Sequence, residues 1–453
     1  MVVDTLLHNA KVLIEGRLIE AGIAVDESRI VRIAKEPNLP LASKKIDLKR
    51  CVALPGLIDA HVHLRGQLQS DEEDFFTGTA AAIAGGITSV LDMPNNQPVT
   101  QDSTSLKERM KAAQPDIVAN VGFFSAFPES LEDISRVVEE GAIGFKLYLT
   151  KQIGGLDIDD DEALLHAFNE VRQLGVPVAV HAEDRKMIEA LSEDQQEPGY
   201  KGVETYLRAH APEVEAEAVE RILRIARRSG LHIHFCHISS EEAVGLIHSA
   251  RETGLRVSCE VTPHHLMLTS EDLRRQGTIM LTDPPVRSER IVKRLWTAIK
   301  GNEVEILASD HAPHLMREKT ADSIWDVKPG IPGLETLLPL FLTKVNENQL
   351  SIAELARLLA EEPARIFHLR NEGFLREGCN ANITVVDMHK KGKIKAEMFH
   401  SKAKYSPFDG WRVKGLPSKT FVNGLLAMED GYLVANRGIG KITRCGDEGH
   451  DTA

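Results

Sequence analysis

At 453 residues the chain is too long for one small domain and long enough for a barrel of ordinary size plus an accessory domain. Hydrophobic residues make up 42% and charged residues 27%, ordinary globular usage without a low-complexity tract, so extended disorder is excluded. A formal net charge of -13 supplies no basic field for nucleic-acid phosphates or anionic lipid, which leaves a small molecule as the expected substrate and neither nucleic acid nor membrane as a partner.

The five cysteines, Cys51, Cys236, Cys259, Cys379 and Cys445, are widely spaced and form no CxxC pair. They read as reduced thiols in the cytoplasm, neither a disulfide framework nor a thiolate zinc site. Residues 1–10 lack a basic patch followed by an apolar run, and no stretch approaches about 18 consecutive apolar residues, so no export signal or membrane span is expected.

From Thr5 to Ala34 short apolar stretches broken at Glu15-Gly16 and Glu27-Ser28 predict strands joined by tight turns. The texture changes near Cys51. Strands are predicted at the segment ending at His61 to Leu64, then at Gly86 to Met93, Ile117 to Phe123, Gly144 to Leu149, Val176 to His181, His232 to His237, Arg256 to Val261 and Glu305 to Ser309. Helical periodicity separates them, at Glu73 to Ala84, Leu131 to Glu140, Asp161 to Leu174, Val214 to Ser229, Ser240 to Thr253, Arg287 to Ala298 and Ile352 to Ala360. Eight strands alternating with helices predict an α/β chain built on a (β/α)8 TIM-like barrel over residues 51–370. Strands return at Asn382 to Asp387 and Lys419 to Asn423, with turn signals at Asn423-Gly424 and Asp430-Gly431. Residues 1–50 and 371–453 are therefore expected to share one small β-sandwich domain.

Catalytic groups of a parallel barrel come from the C-terminal ends of its strands, and polar residues recur there. His61 and His63 are two apart, so in an extended strand both imidazoles project to one side and can grip one ion. His181 ends the run from Val176, His237 ends the run from Leu231, and Asp310 follows Ile306 to Ser309. Any one of these reads equally well as a capping or core residue; four imidazoles and a carboxylate at one barrel mouth point to metal. His232, His234, His264, His265 and His311 compete for the same role, His234 most closely with His237. Lys146, flanked by apolar neighbours, cannot ligate a cation as a bare ammonium, and alone reads as a lysine that snorkels or pairs with a carboxylate.

Several motifs together resemble the dihydroorotase, hydantoinase and allantoinase branch of the amidohydrolase superfamily. They are Pro55-Gly56-Leu57-Ile58-Asp59-Ala60-His61-Val62-His63-Leu64-Arg65, Met93-Pro94-Asn95, Gly144-Phe145-Lys146, Thr262-Pro263-His264-His265-Leu266, Ser309-Asp310-His311-Ala312-Pro313-His314 and 330–336 (Gly-Ile-Pro-Gly-Leu-Glu-Thr). The resemblance implies two divalent ions, with zinc suited to such donors: His61, His63 and Asp310 on one, His181 and His237 on the other, and Lys146, carboxylated by CO₂, bridging them. It also implies hydrolysis of a cyclic amide, with Asp310 moving the proton from the attacking water to the leaving nitrogen.

Within that branch Arg65, Asn95 and His314 match the residues that hold the substrate carboxylate in dihydroorotases, so reversible ring opening of dihydroorotate to carbamoyl aspartate, a step of pyrimidine biosynthesis, is the expected reaction. Read from the residues alone, Arg65 directly after His63-Leu64 points into the mouth, and the plainer alternative is a surface arginine paired with Asp71 or Glu72. The alternatives are an allantoinase, a hydantoinase or dihydropyrimidinase, and a catalytically inactive scaffold. The resemblance further implies a homodimer and association with aspartate carbamoyltransferase. The chain departs from the branch at Gly66 to Ser70, where an acidic residue and Pro-Gly are usual, and at Asp283 before Pro284-Pro285, where Asn or Ser is usual. The polar run from Leu315 to Lys328 is expected to act as a mobile lid.

Overall fold

The computed structural model describes residues 2–193 and 202–445. Alternating apolar residues build the N-terminal segment into strands Val2–Ile14, Arg17–Asp26 and Arg29–Ala34. Their two turns, Glu15-Gly16 and Glu27-Ser28, have positive φ at both residues (46° and 75°; 44° and 70°). This is the type I′ geometry, whose twist suits antiparallel strands. Asn423-Gly424 and Asp430-Gly431 repeat it near the C-terminus, between Arg412–Val422, Leu425–Glu429 and Tyr432–Leu433. The two ends meet in one nine-stranded sheet, because Val52–Pro55 pairs in parallel with Lys11 and Val12 and antiparallel with 383–386. Leu7, Ile23, Ile30, Ile383 and Phe421 fill one apolar cluster there.

Two residues beyond Pro55 the chain enters the barrel. Its strands are β1 (Leu57–Val62), β2 (Ile87–Asp92), β3 (Asn120–Ser125), β4 (Gly144–Tyr148), β5 (Val178–His181), β6 (Ile233–Phe235), β7 (Val257–Val261) and β8 (Ile306–Leu307). They pair in parallel and in chain order. A parallel bridge between Val62 and His311, with the His63 N–H donating to the His311 carbonyl at 2.8 Å, brings β1 against the β8 side. All eight strands are buried at every position, as a parallel sheet covered by helices requires. The hydrogen bonding puts Val52–Pro55 with the terminal sheet and Ile442–Thr443 alongside β3.

The expected helices form within a few residues of their predicted limits; the first starts at Phe75, where Asp74 and Thr77 make a reciprocal cap. Several further helices were not expected, and two of them show why. Ser103–Ala113 buries Leu106, Arg109, Met110 and Ala113, a helical seam disguised because one member is a guanidinium. Leu334–Asn346 buries eight of its residues and contains Pro339, an apparent breaker.

The segment expected as a lid is anchored. Ile324 and Val327 are buried in the cluster that includes Leu281 and Phe408. Lys319 is fully buried, and its Nζ donates to the carbonyls of Leu281 (3.1 Å), Lys328 (2.8 Å) and Gly330 (2.8 Å). Burial pushes this amine down to about 7, while three carbonyls match the three N–H donors of an ammonium. The polar sequence therefore hides a buried tether. Lys319→Met should strand the buried carbonyls of Leu281 and Gly330 and lower stability by roughly 2 kcal/mol. An unchanged urea midpoint would show that the apolar contacts hold the segment unaided.

Candidate active site

The ends of β1, β5, β6 and β8 converge on one cavity of about 260 Å³, whose walls include His61, His63, His181, His237 and Asp310, with Tyr148 from β4. His61 Nε2 and His63 Nε2 lie 3.4 Å and 3.3 Å from the same oxygen, Oδ1 of Asp310. The His237 ring centroid is 4.6 Å from that of His181 and 5.1 Å from that of His61. Three non-glycine residues of this mouth hold positive φ: Arg65 (53°), His237 (35°) and Asp310 (49°). Such values are uncommon outside glycine and concentrate where structure is fixed for function.

The rings are oriented from behind. His61 Nδ1 meets Glu260 Oε1 at 2.5 Å, His63 Nδ1 meets Asn95 Oδ1 at 2.7 Å, and His181 Nε2 meets Glu183 Oε2 at 2.8 Å. Each pairing occupies one ring nitrogen and leaves the other for a ligand, the usual way a protein sets the tautomer of a metal-binding histidine. His237 Nδ1 is buried without a partner among the described residues. Burial, reinforced by His181 and Lys146, keeps His237 well below the ordinary imidazole range, so it is neutral and able to donate a lone pair. Burial disfavours the charges of Glu260 and Asp310. The imidazoles of His61 and His234 outweigh it at Glu260, those of His61 and His63 at Asp310, and both carboxyls lie well below their usual range. This donor set suits a divalent cation.

Sequence reasoning missed Glu260 and Glu183. Both left a signal: Glu260 is the lone charge inside β7, and Glu183 stands two residues beyond His181. The competing histidines are accounted for in part. His234 is spent on Ser258 and Glu260, His232 on Ser258, His265 on Thr262 and the Pro284 carbonyl, and His311 accepts from the Gly333 N–H and lies 3.5 Å from Glu73. His264 Nε2 is buried and unpartnered among the described residues.

Lys146 neither snorkels nor pairs with a carboxylate. It is fully buried in β4 and makes no ion pair among the described residues; its Nζ lies 2.9 Å from Cys236 Sγ and 4.9 Å from the Tyr148 ring centroid. Among the described residues His61, His63 and Asp310 form a three-donor set, whereas His181 and His237 belong to none.

Arg65 is 6% exposed and lines the cavity together with Asn95 and His314. Its carbonyl accepts from Arg109, whose guanidinium is locked on Asp92 at 2.6 Å and 2.9 Å, fixing this turn of backbone. Its Nη2 lies 3.2 Å from His314 Nε2, and its Nε lies 3.6 Å from Glu72 Oε2. Glu72, His314 and Glu318 also have metal-like spacing, but the guanidinium beside them opposes a cation. Gly330, at φ 134°, closes this side; a Cβ there would stand 2.6 Å from the Ala312 carbonyl and 3.1 Å from His314 Nε2. Asp283 reaches the same cavity, its carboxyl pushed up by burial and by Glu183.

A barrel with this convergence of imidazoles and carboxylates defines a metal-dependent hydrolase acting on small molecules. Residues 52–426 match the amidohydrolase family, and the chain belongs to that family. It is 37% identical to a dihydroorotase of Methanothermobacter thermautotrophicus over 96% of each chain, and 31% identical to an allantoinase of Solibacter usitatus over 93% of each. A solved L-hydantoinase (dihydropyrimidinase) of Arthrobacter aurescens superposes with a TM-score of 0.94 at 30% identity, covering 98% of this chain and 100% of that one. Among the described residues no helix is long and apolar enough to cross a membrane.

Proposed function

We propose that the chain is a dihydroorotase, opening the ring of dihydroorotate to carbamoyl aspartate and closing it again. The observation that carries this reading is the buried Arg65 at the same cavity as the His61, His63 and Asp310 cluster, with Asn95 and His314 beside it. A guanidinium there offers a planar, charged fork to a ring carboxylate, which neutral hydantoin and allantoin rings do not present.

His61, His63 and Asp310 would hold one divalent ion, zinc by donor type, and His181 with His237 a second. Lys146, carboxylated on Nζ by CO₂, would give that second pair the third donor it lacks. When bound, the ions supply hydroxide near neutral pH and polarise the scissile carbonyl. Asp310 takes the proton of the attacking water and returns it to the leaving nitrogen, a role supported by its place at the cavity beside His61 and His63 and by a carboxyl that is ionised near neutral pH. Glu260, Asn95 and Glu183 hold the rings of His61, His63 and His181 in register. Cys51, Cys236, Cys259, Cys379 and Cys445 are all free, which fits the cytoplasm.

Arg65→Ala should cost about 2 to 3 kcal/mol in kcat/KM for dihydroorotate, the worth of a charge-assisted contact. Arg65→Lys should recover part of it, since an ammonium keeps the charge and loses the fork. The loss on hydantoin should be at least tenfold smaller; an equal loss on both substrates would assign Arg65 to the fold and withdraw the dihydroorotase reading. A hydantoinase reading draws on one observation: the Arg65 charge already faces the carboxylate of Glu72.

A further inference from the structure

The carboxylate beside Arg65 is held deliberately. Glu72 is followed directly by two fixed residues: Glu73, fully buried and bound to Ser401 and the Lys402 N–H, and Asp74, which caps the helix Phe75–Ala84. Its own N–H donates to the Gln69 carbonyl at 3.0 Å, which ties down the backbone. That side chain is 14% exposed and forms part of the cavity wall. Oε1 accepts from Gln69 Nε2 at 3.2 Å, and Oε2 lies 3.1 Å from His314 Nδ1.

A carboxylate only accepts, so the His314 Nδ1–H donates to Glu72. His314 Nε2 lies 2.9 Å from the Pro329 carbonyl and 3.2 Å from Arg65 Nη2. Glu72 thus stands against both Arg65 and His314. A ring carboxylate arriving at Arg65 meets a guanidinium that already has an anion, and two carboxylates sharing one cation repel at short range.

Resting on the reading of the site as a carboxylate-binding one, we infer that Glu72 determines specificity: it is a resident carboxylate that competes with the substrate's carboxylate for Arg65 and His314. An anionic ring binds by exchange, displacing Glu72 toward the open side of the cavity. A neutral ring leaves the pair in place. The cavity thereby tempers its preference for anions.

The test uses the full-length, metal-loaded protein and calorimetric titration with orotate, a planar ring carboxylate, and uracil, the same ring without it. Glu72→Gln keeps an acceptor for His314 and removes the charge, so orotate should bind about tenfold more tightly while uracil shifts much less. Glu72→Asp keeps the charge and loses reach, and should fall between wild type and Gln. Weaker orotate binding in either variant, or equal shifts for orotate and uracil, would make Glu72 a positioning residue for Arg65 and overturn the inference. Turnover of dihydroorotate by the wild type is a separate measurement. Its absence alongside tightened orotate binding would remove the proposed reaction and leave the role of Glu72 standing.

Discussion

Asp310→Asn is expected to lower kcat by about three orders of magnitude, the upper range for loss of a positioned acid–base group, while divalent metal still binds. Asn is nearly isosteric with Asp and tolerates the left-handed backbone at φ 49°, so the turn after β8 should survive the change. The amide oxygen can still face His61 Nε2 and His63 Nε2, now 3.4 Å and 3.3 Å from the carboxylate. What the amide cannot do is accept a proton and return it. Both imidazoles hold the native carboxyl well below its ordinary range, so it is ionised at neutral pH and ready as an acceptor. Steady-state kinetics with metal analysis on the same sample separates the roles. A normal kcat with weakened metal binding would make Asp310 a ligand alone.

The parallel barrel explains why so much of this site was legible. Strands buried on both faces read as short apolar runs, and a polar residue at the end of such a run stands out. His181, His237 and Asp310 were found that way, and the two-residue spacing of His61 and His63 gave a shared direction. The partners that orient those rings were hidden for the opposite reason. Glu260 meets His61 across 199 positions and Glu72 meets His314 across 242, so no local pattern announces either contact. Asn95 was expected on the substrate side; its Oδ1 is occupied by His63, which gives it a part in orienting a ring as well.

Helices tell the same story. Those with one apolar face were read to within a few residues, whereas Leu334–Asn346, wedged against the terminal sheet by contacts such as the Lys414 N–H to Thr343 Oγ1 (2.9 Å), is interrupted in sequence by Pro339. Lys319 illustrates the limit of polarity as a guide. A lysine in a polar run suggests solvent, yet here it is buried on three carbonyls and secures the wall that carries Gly330.

Lys146→Ala is expected to remove metal and activity together, with kcat falling by at least about three orders of magnitude if hydroxide generation at the centre is lost. The expectation starts from an energetic anomaly. A bare ammonium buried in β4 without a carboxylate partner is costly, and the thiol of Cys236 and the face of Tyr148 compensate it weakly. Conversion of Nζ to a carbamate replaces that cation with an anion offering two oxygens, near His181 and His237, which burial keeps below the ordinary imidazole range. His181 and His237 are one donor short of a three-donor set among the described residues, and the carbamate is the group within reach that could complete it. Alanine removes that anion and leaves a cavity at its position, so acetate or propionate should restore part of the metal content and part of the rate. In the wild type, ¹³C-labelled bicarbonate should give a carbamate resonance that the variant lacks. Unaltered metal content and activity in Lys146→Ala would take Lys146 out of the centre and require another third donor for His181 and His237.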